Sequence, residues 1–219
     1  KVGSQCTLLL EHKVVELKTT GQNVEAIVCS TSEGVKEIKV KKKDYVLSTL
    51  PIKHSVKMLS DHLPSSVKHV SQNLIQLNDL VLVFLYIDVD QLMEDSWVFV
   101  PEEKFLFHRI SEQNSFDPQM VQAGSIVCCE VLVQENTDQS AWSDQNFFDK
   151  VITDLKKLDL KNFKIIDKKI IRLAKSYPVL KVGYQETLDA VLGSLDKIEN
   201  FRSIGRQGSF NYIGTLDSM

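Results

Sequence analysis

Apolar residues alternate with polar ones through much of the first fifty positions, and the alternation is broken at short turn clusters. The stretches 7–10 and 13–17 are apolar, 24–30 and 35–40 alternate, and 44–49 ends at Leu50-Pro51. Between them lie Thr19-Thr20-Gly21-Gln22-Asn23 and Ser32-Glu33-Gly34. A side-chain period of two, interrupted by glycine turns, predicts strands joined as hairpins. The period then lengthens. Val56 and Leu59 in 52–60, and Val67, Val70 and Leu74 after Pro64, fall at helical spacing, with Ser65 or Ser66 available as a cap.

The run 80–88 is apolar on both faces and predicts a central strand covered on both sides. Shorter strands are expected at 97–100 and 105–110, around Pro101-Glu102-Glu103-Lys104, and a second strongly apolar strand at 125–133. The best helix follows Ser143, its expected cap, and places Phe147, Phe148, Val151, Ile152, Leu155 and Leu158 on one face. Asp144 near its start and Lys156-Lys157 near its end suit the helix dipole. A mixed apolar and basic strand at 165–174 comes next, then an amphipathic helix carrying Leu188, Val191, Leu192 and Leu195, then a short strand at 201–204. There is no repeat and no low-complexity linker. These elements predict an α+β fold with a mostly antiparallel sheet of about six strands flanked by helices.

Composition narrows the function classes. The chain has 219 residues, enough for one large domain or two small ones. Its formal charge of −3 argues against a nucleic-acid binder. The five lysines within 36–43 alternate with apolar residues and read as a solvated strand face. No apolar run approaches the roughly 20 residues of a transmembrane helix. The opening Lys1-Val2-Gly3-Ser4 has no Met and no signal pattern, so the chain reads as an excised piece of a cytoplasmic protein. Cys6, Cys29, Cys128 and Cys129 lie in apolar runs without metal-ligand spacing and are expected to be buried thiols. The five histidines suggest no metal site.

Candidate chemistry is sparse. There is no G-x-S-x-G, H-E-x-x-H, Walker loop or G-x-G-x-x-G, and no catalytic residue is assigned. Glu130 sits in an apolar run, where a buried carboxylate needs a partner such as Arg109. It reads equally as a site-lining acid or as an outward-facing glutamate. Arg109, in Phe107-His108-Arg109-Ile110, either clamps an anion in a pocket or faces solvent, with His108 its opposite-face neighbour. Tyr177, followed by Pro178, and Tyr184 either line a ring-shaped ligand or fill a core. The strand at 201–204 runs into Gly205 and Arg206 ahead of an expected helix start, an arrangement suited to holding an anion.

The order of these segments resembles the C-terminal region of FAD-dependent amine-oxidase-like flavoproteins, in particular their protoporphyrinogen-oxidase-like and UDP-galactopyranose-mutase-like members. The resemblance is carried by Tyr177-Pro178-Val179-Leu180-Lys181-Val182-Gly183-Tyr184, the helix after it, Asn200-Phe201-Arg202-Ser203-Ile204-Gly205-Arg206-Gln207-Gly208-Ser209-Phe210-Asn211-Tyr212, and Asp217-Ser218-Met219. Upstream, Asp44-Tyr45-Val46-Leu47-Ser48-Thr49-Leu50-Pro51 is similar to the family's A-D-x-V-I-S-T-x-P, and Phe107-His108-Arg109-Ile110 and Cys129-Glu130-Val131 fall in family order.

The resemblance implies strands on the FAD-domain side (1–50), a substrate-binding-like domain (51–175) and a return to the FAD domain (176–219). It implies FAD contacts from Gly205, Arg206, Gly208, Tyr212 and Asp217, and contacts to a small-molecule substrate from Arg109, Tyr177 and Tyr184. The family's N-terminal glycine fingerprint is absent, as is a helix after Met219. The expectation is an FAD-dependent oxidoreductase as parent, with this fragment binding no FAD, inactive, and prone to self-association through uncovered apolar surface. Two alternatives remain. One is a fragment of a UDP-galactopyranose-mutase-like enzyme acting on a sugar nucleotide, with Arg109, Arg172 and Arg206 as the candidate diphosphate clamps. The other is a non-enzymatic α+β interaction domain.

Overall fold

Alternation in the early residues resolves into an antiparallel meander, β1 (Lys13–Thr20), β2 (Asn23–Thr31) and β3 (Gly34–Lys39), paired in that order. The computed structural model describes residues 6–214 and 216–218, without the side chains of Val70, Gln72, Asn73, Leu74 and Ser218. After the meander come β4 (Val46–Ser48), α1 (Ile52–Met58), α2 (Ser65–Leu74), β5 (Gln76–Ile87), β6 (Trp97–Phe99), β7 (Arg109–Glu112) and β8 (Ser125–Val133). The chain continues through α3 (Asp144–Leu155), β9 (Ile165–Val179), α4 (Tyr184–Leu195), β10 (Phe201–Ser203) and the single turn α5 (Gly205–Gly208). Two compact units result: Leu77–Tyr177 forms one, and the described residues up to Gln76 and from Pro178 form the other.

In the two-segment unit, β4 and β10 pair in parallel, and the Val46 N–H donates to the Asn200 carbonyl at 2.8 Å. The Asn200 side chain closes both ends of the Val24 peptide. It accepts from the Val24 N–H at 2.7 Å and donates to the Val24 carbonyl at 2.8 Å. One buried amide thus ties the meander to β10, with every polar atom of the contact matched. Leu188, Val191 and Leu195 form the buried stripe of α4, at the spacing that the sequence shows.

The other unit is a five-stranded sheet in the order β6-β7-β8-β5-β9. Residues 79 and 175, and residues 88 and 164, meet at opposite ends of β5 and β9, so this pair too is antiparallel. In the β5–β8 register Val81 faces Val131, Val83 faces Cys129 and Leu85 faces Val127. These side chains are buried and form one sheet face. Phe147, Phe148, Val151 and Leu155 of α3 cover that face, along with Phe105 and Phe107. Helix α3 starts where Ser143 predicts, in a capping box: the Ser143 hydroxyl accepts from the Asn146 N–H, and the Ser143 N–H donates to Asn146 Oδ1.

Several expectations need correction. β5 is not doubly covered, because Leu82, Phe84 and Tyr86 on its second face are only half-buried. Residues 105–108 are not strand. Phe105 and Phe107 stack at 5.8 Å and enter the core, while the Leu106 N–H donates to the Asp154 carboxylate at 2.9 Å instead of to a ladder. Residues 7–10 are also outside any strand. Neither Ser65 nor Ser66 caps α2, because both lie in its first turn and Pro64 precedes it without a side-chain hydrogen bond. Cys29, Cys128 and Cys129 are buried free thiols, but Cys6 is exposed. The 165–174 strand extends to Val179, and Pro178 is tolerated because β9 is an edge strand. Gly124, opening β8, has φ +73°, and a Cβ there would meet the Ile87 carbonyl oxygen at 2.3 Å, so only glycine fits.

Two stability predictions follow from this packing. Phe147 is 0% exposed and central to the core, so Phe147→Ala should cost about 3–5 kcal/mol in urea unfolding. A loss under 1 kcal/mol would contradict the packing. Asp154 is fully buried and accepts from Lys150 at 2.7 Å, Lys157 at 2.6 Å and the Leu106 N–H. Burial pushes its carboxyl up, but the two ammonium groups and that N–H together hold it below its ordinary value. Its contribution is therefore complete above the unfolded carboxyl's pKa of about 3.9 and is lost as pH falls through the lower folded value. Asp154→Asn should cost about 1–3 kcal/mol near pH 7. The difference from wild type should shrink below pH ~4 in pH-resolved denaturation.

Candidate functional site

The sheet register decides what lies opposite Arg109. In the β7–β8 pairing Arg109 faces Glu130, and in the β5–β8 pairing Glu130 faces Leu82. All three lie on the sheet face away from α3. Arg109 Nε and Nη2 donate to Glu130 Oε1 at 2.9 and 2.5 Å. Glu130 is 6% exposed, and its Oε2 is buried with no hydrogen-bond partner. His108 Nε2 stands 3.9 Å from that oxygen, and neither ring nitrogen of His108 has a partner. Tyr177 meets the His108 ring edge-on at 5.9 Å, and the guanidinium of Arg109 lies 5.9 Å from the Phe99 ring centre.

Burial lowers the His108 pKa, with the Arg109 charge acting in the same direction and Glu130 against both. Burial, reinforced by Glu130, pushes the Cys128 thiol up to about 12, and Cys129 is raised as well, so both thiols are inert at neutral pH. The cluster of Arg109, Glu130 and a neutral His108 carries no net charge. Chemically it offers one unused carboxylate oxygen and an imidazole, which differs from the open anion clamp that Arg109 alone suggests.

The C-terminal candidates belong to the other unit. Gly205 has φ +73°, and the nearest atom to a Cβ there is Thr49 Cγ2 at 3.8 Å, so its backbone is approachable. Gly208 packs closely: a Cβ would meet the Ser48 carbonyl oxygen at 2.7 Å. Arg206 donates to the Ile213 carbonyl at 3.1 Å and stacks over the Tyr212 ring at 4.5 Å. Tyr184 meets Phe210 edge-on at 6.1 Å, and Asp217 is exposed in a short 3-10 turn. Thr215 and Met219 of the closing motif lie outside the described residues. Gly205 and Arg206 themselves lie in the single turn α5, too short to supply a helix dipole or a row of open N–H groups. As a fit for a dinucleotide phosphate, the segment offers an approachable glycine and a nearby arginine but no complete cradle.

Of the predicted substrate residues, Arg109 and Tyr177 lie in one unit, Tyr177 against the His108 ring, while Tyr184 lies in the other. Sequence reasoning named Glu130 as Arg109's partner. It missed that His108 completes the cluster, for which the only signal is adjacency to Arg109. It also missed Glu112, a fully buried carboxylate that accepts from the Leu92 and Met93 N–H groups at 2.7 and 2.8 Å and so pins the loop before β6.

A cleft of about 1100 Å³ runs between β1 and α1, lined by a mixture of acids, lysines and the side chains of His12, His54 and His62. Its charges are of both signs and solvated, however, so the buried unpaired groups mark the better site. An apolar groove of about 310 Å³ lies between β5 and β9 on the second sheet face, beside Phe84, Tyr86 and Ile171. Among the described residues, no three His, Cys, Asp or Glu side chains gather to hold a metal, and no helix is long and apolar enough to cross a membrane.

No protein-family model matches the chain, and no curated protein sequence does. Solved structures do match. A reduced UDP-galactopyranose mutase aligns with a TM-score of 0.67 at 15% identity, over 84% of this chain and 39% of that one. A protein assigned as a protoporphyrinogen oxidase, from Exiguobacterium sp. 255-15, aligns with a TM-score of 0.62 at 17% identity, over 87% and 40%. An oxidoreductase from Methanosarcina mazei aligns at 0.51 and 12% identity, over 77% and 37%. The chain therefore spans about two fifths of the length of these structures. It has the fold found in them, the fold that its resemblance to FAD-dependent amine-oxidase-like flavoproteins implied.

Proposed function

We propose that these residues are the substrate-binding portion, with the C-terminal return segment, of an FAD-dependent oxidoreductase of the amine-oxidase-like type. The observation that carries the reading is the match in fold to an assigned protoporphyrinogen oxidase and to UDP-galactopyranose mutase over more than four fifths of the chain. In this reading Arg109, Tyr177 and Tyr184 approach the substrate, and Gly205, Arg206, Gly208, Tyr212 and Asp217 approach the cofactor. Bound flavin supplies the redox chemistry by accepting a hydride, so the chain needs no acid–base triad of its own. Its residues bind and orient.

Charge balance favours redox chemistry on a weakly charged substrate over a sugar nucleotide. A diphosphate carries two or more negative charges and needs several arginines to offset them. Arg109 is committed to Glu130, and Arg172 donates to Asp144 at 2.7 Å and to the Trp142 carbonyl at 2.9 Å. The mutase-like reading stays in view because of the TM-score of 0.67 to that enzyme. UDP binding at low micromolar concentration would select it.

The incomplete phosphate cradle supports a further part of the proposal: these 219 residues alone hold no FAD. Self-association through exposed apolar side chains such as Tyr45, Leu47 and Phe99 belongs to the same reading. The test is a flavin titration followed by absorbance and fluorescence. The isolated chain should remain colourless, while a longer polypeptide that adds an upstream dinucleotide-binding fold should bind flavin stoichiometrically. In that polypeptide Arg206→Ala should weaken FAD binding about 10- to 100-fold, the scale of a lost charge-assisted hydrogen bond to phosphate. A longer polypeptide that takes up no flavin would overturn the proposal.

A further inference from the structure

The Arg109 cluster holds an asymmetry that its role in anchoring strands does not explain. Glu130 spends one oxygen on two donors from Arg109 and leaves the other buried with none. Buried carboxylate oxygens normally find a donor, because leaving one bare costs its full desolvation. The nearest candidate is His108 Nε2 at 3.9 Å, beyond hydrogen-bond length, on a ring whose two nitrogens are also buried and unmatched. The backbone brings the two residues together, since the His108 N–H donates to the Glu130 carbonyl at 3.0 Å.

We propose that Glu130 is an anion shared by two chain neighbours, one oxygen for Arg109 and the other for His108, and that a proton on His108 closes the second half of the pair. In the open form His108 is neutral and Glu130 serves Arg109 alone. Once protonated, the imidazolium needs to move about 1 Å to reach the 2.7–2.9 Å of a charge-assisted hydrogen bond to Oε2. The cluster then goes from no net charge to one positive charge, and the carboxylate's hold on Arg109 is divided.

The groups that face His108 set this equilibrium. Glu130 on β8 favours the proton, while Arg109 on β7 and burial of the ring oppose it. Tyr177 on β9 presents its ring edge, and the nearby Cys128 thiol stays neutral. Glu130 is thus a positioning residue for Arg109, with His108 setting how firmly it acts. Acidic conditions make Arg109 more available to an anionic group. That last consequence rests on the function proposed above, in which substrate approaches Arg109, whereas the shared carboxylate does not.

The test uses the full chain and needs neither flavin nor substrate, so its failure is separate from failure of the flavin titration. The His108 ring and the Arg109 Nε are followed by NMR across pH 4–8. The His108 midpoint should fall below the ordinary value of about 6.5, and the Arg109 Nε signal should move with the same midpoint. Glu130→Gln should lower the His108 midpoint by about half a pH unit or more and remove the shared transition. Glu130→Asp retains the charge, so its His108 midpoint should lie nearer to wild type. It also serves as the comparison should the glutamine variant fold poorly. His108→Gln should leave the Arg109 signal flat over this range. An Arg109 signal that ignores the His108 transition in the wild-type protein would overturn the proposal, as would a His108 midpoint that is the same in all Glu130 variants.

Discussion

The pairing of β8 with β5 on one side and β7 on the other is the constraint on which the larger unit depends. It fixes two faces at once, because side chains alternate along a strand and a one-residue slip would exchange them. On one face the register aligns Val81, Val83 and Leu85 with Val131, Cys129 and Val127, and α3 closes over them. On the other it sets Arg109 against Glu130. The apolar face supplies the burial that stabilises the sheet. The polar pair adds a penalty for misregister, since a slip would part the buried Glu130 carboxylate from the half-buried Arg109 guanidinium.

Much of this was legible in the sequence because it is local. The hairpins of the meander, the Ser143 cap, the stripe on α3 and the stripe on α4 all follow from period and turn chemistry within a few residues. Glu130 in an apolar run offers Arg109 as a partner if the carboxylate is buried, but the sequence alone leaves an outward-facing glutamate equally open. What failed to show depended on long-range packing. Phe105 and Phe107 look like strand residues, yet Asp154, about fifty positions later in the chain, captures the Leu106 peptide and diverts the segment into the core. The run 80–88 is apolar on both faces, but in this unit only one of those faces meets a helix. His108 looked like a bystander, since nothing local indicates that Glu130 leaves an oxygen bare beside it. The single turn at 205–208 and the contacts of Arg206 with the Tyr212 ring and the Ile213 carbonyl likewise depend on how the chain folds back after β10.

Much of the charge that Arg109 could offer to a ligand is already spent inside the protein. An arginine in a sheet suggests an anion clamp, but Arg109 already spends two N–H groups on one oxygen of a buried glutamate. The fold is shared with a UDP-galactopyranose mutase and with an assigned protoporphyrinogen oxidase, and the balance of Arg109 against Glu130 is what separates a weakly charged substrate from a diphosphate in the proposed reading. In the proposed sharing of Glu130, the same balance makes the cluster sensitive to the protonation of His108, whose Nε2 stands 3.9 Å from the free oxygen.

Arg109 and Glu130 act as a coupled pair around a buried carboxylate and not as two incidental charges on a sheet surface. A double-mutant cycle with Arg109→Met, Glu130→Gln and the combined variant, measured by denaturant unfolding, tests it most directly. The expected coupling energy is about 2 kcal/mol or more, with the double variant more stable than the additive sum of the single ones implies. A coupling below about 0.5 kcal/mol, the range of exposed ion pairs, would contradict it.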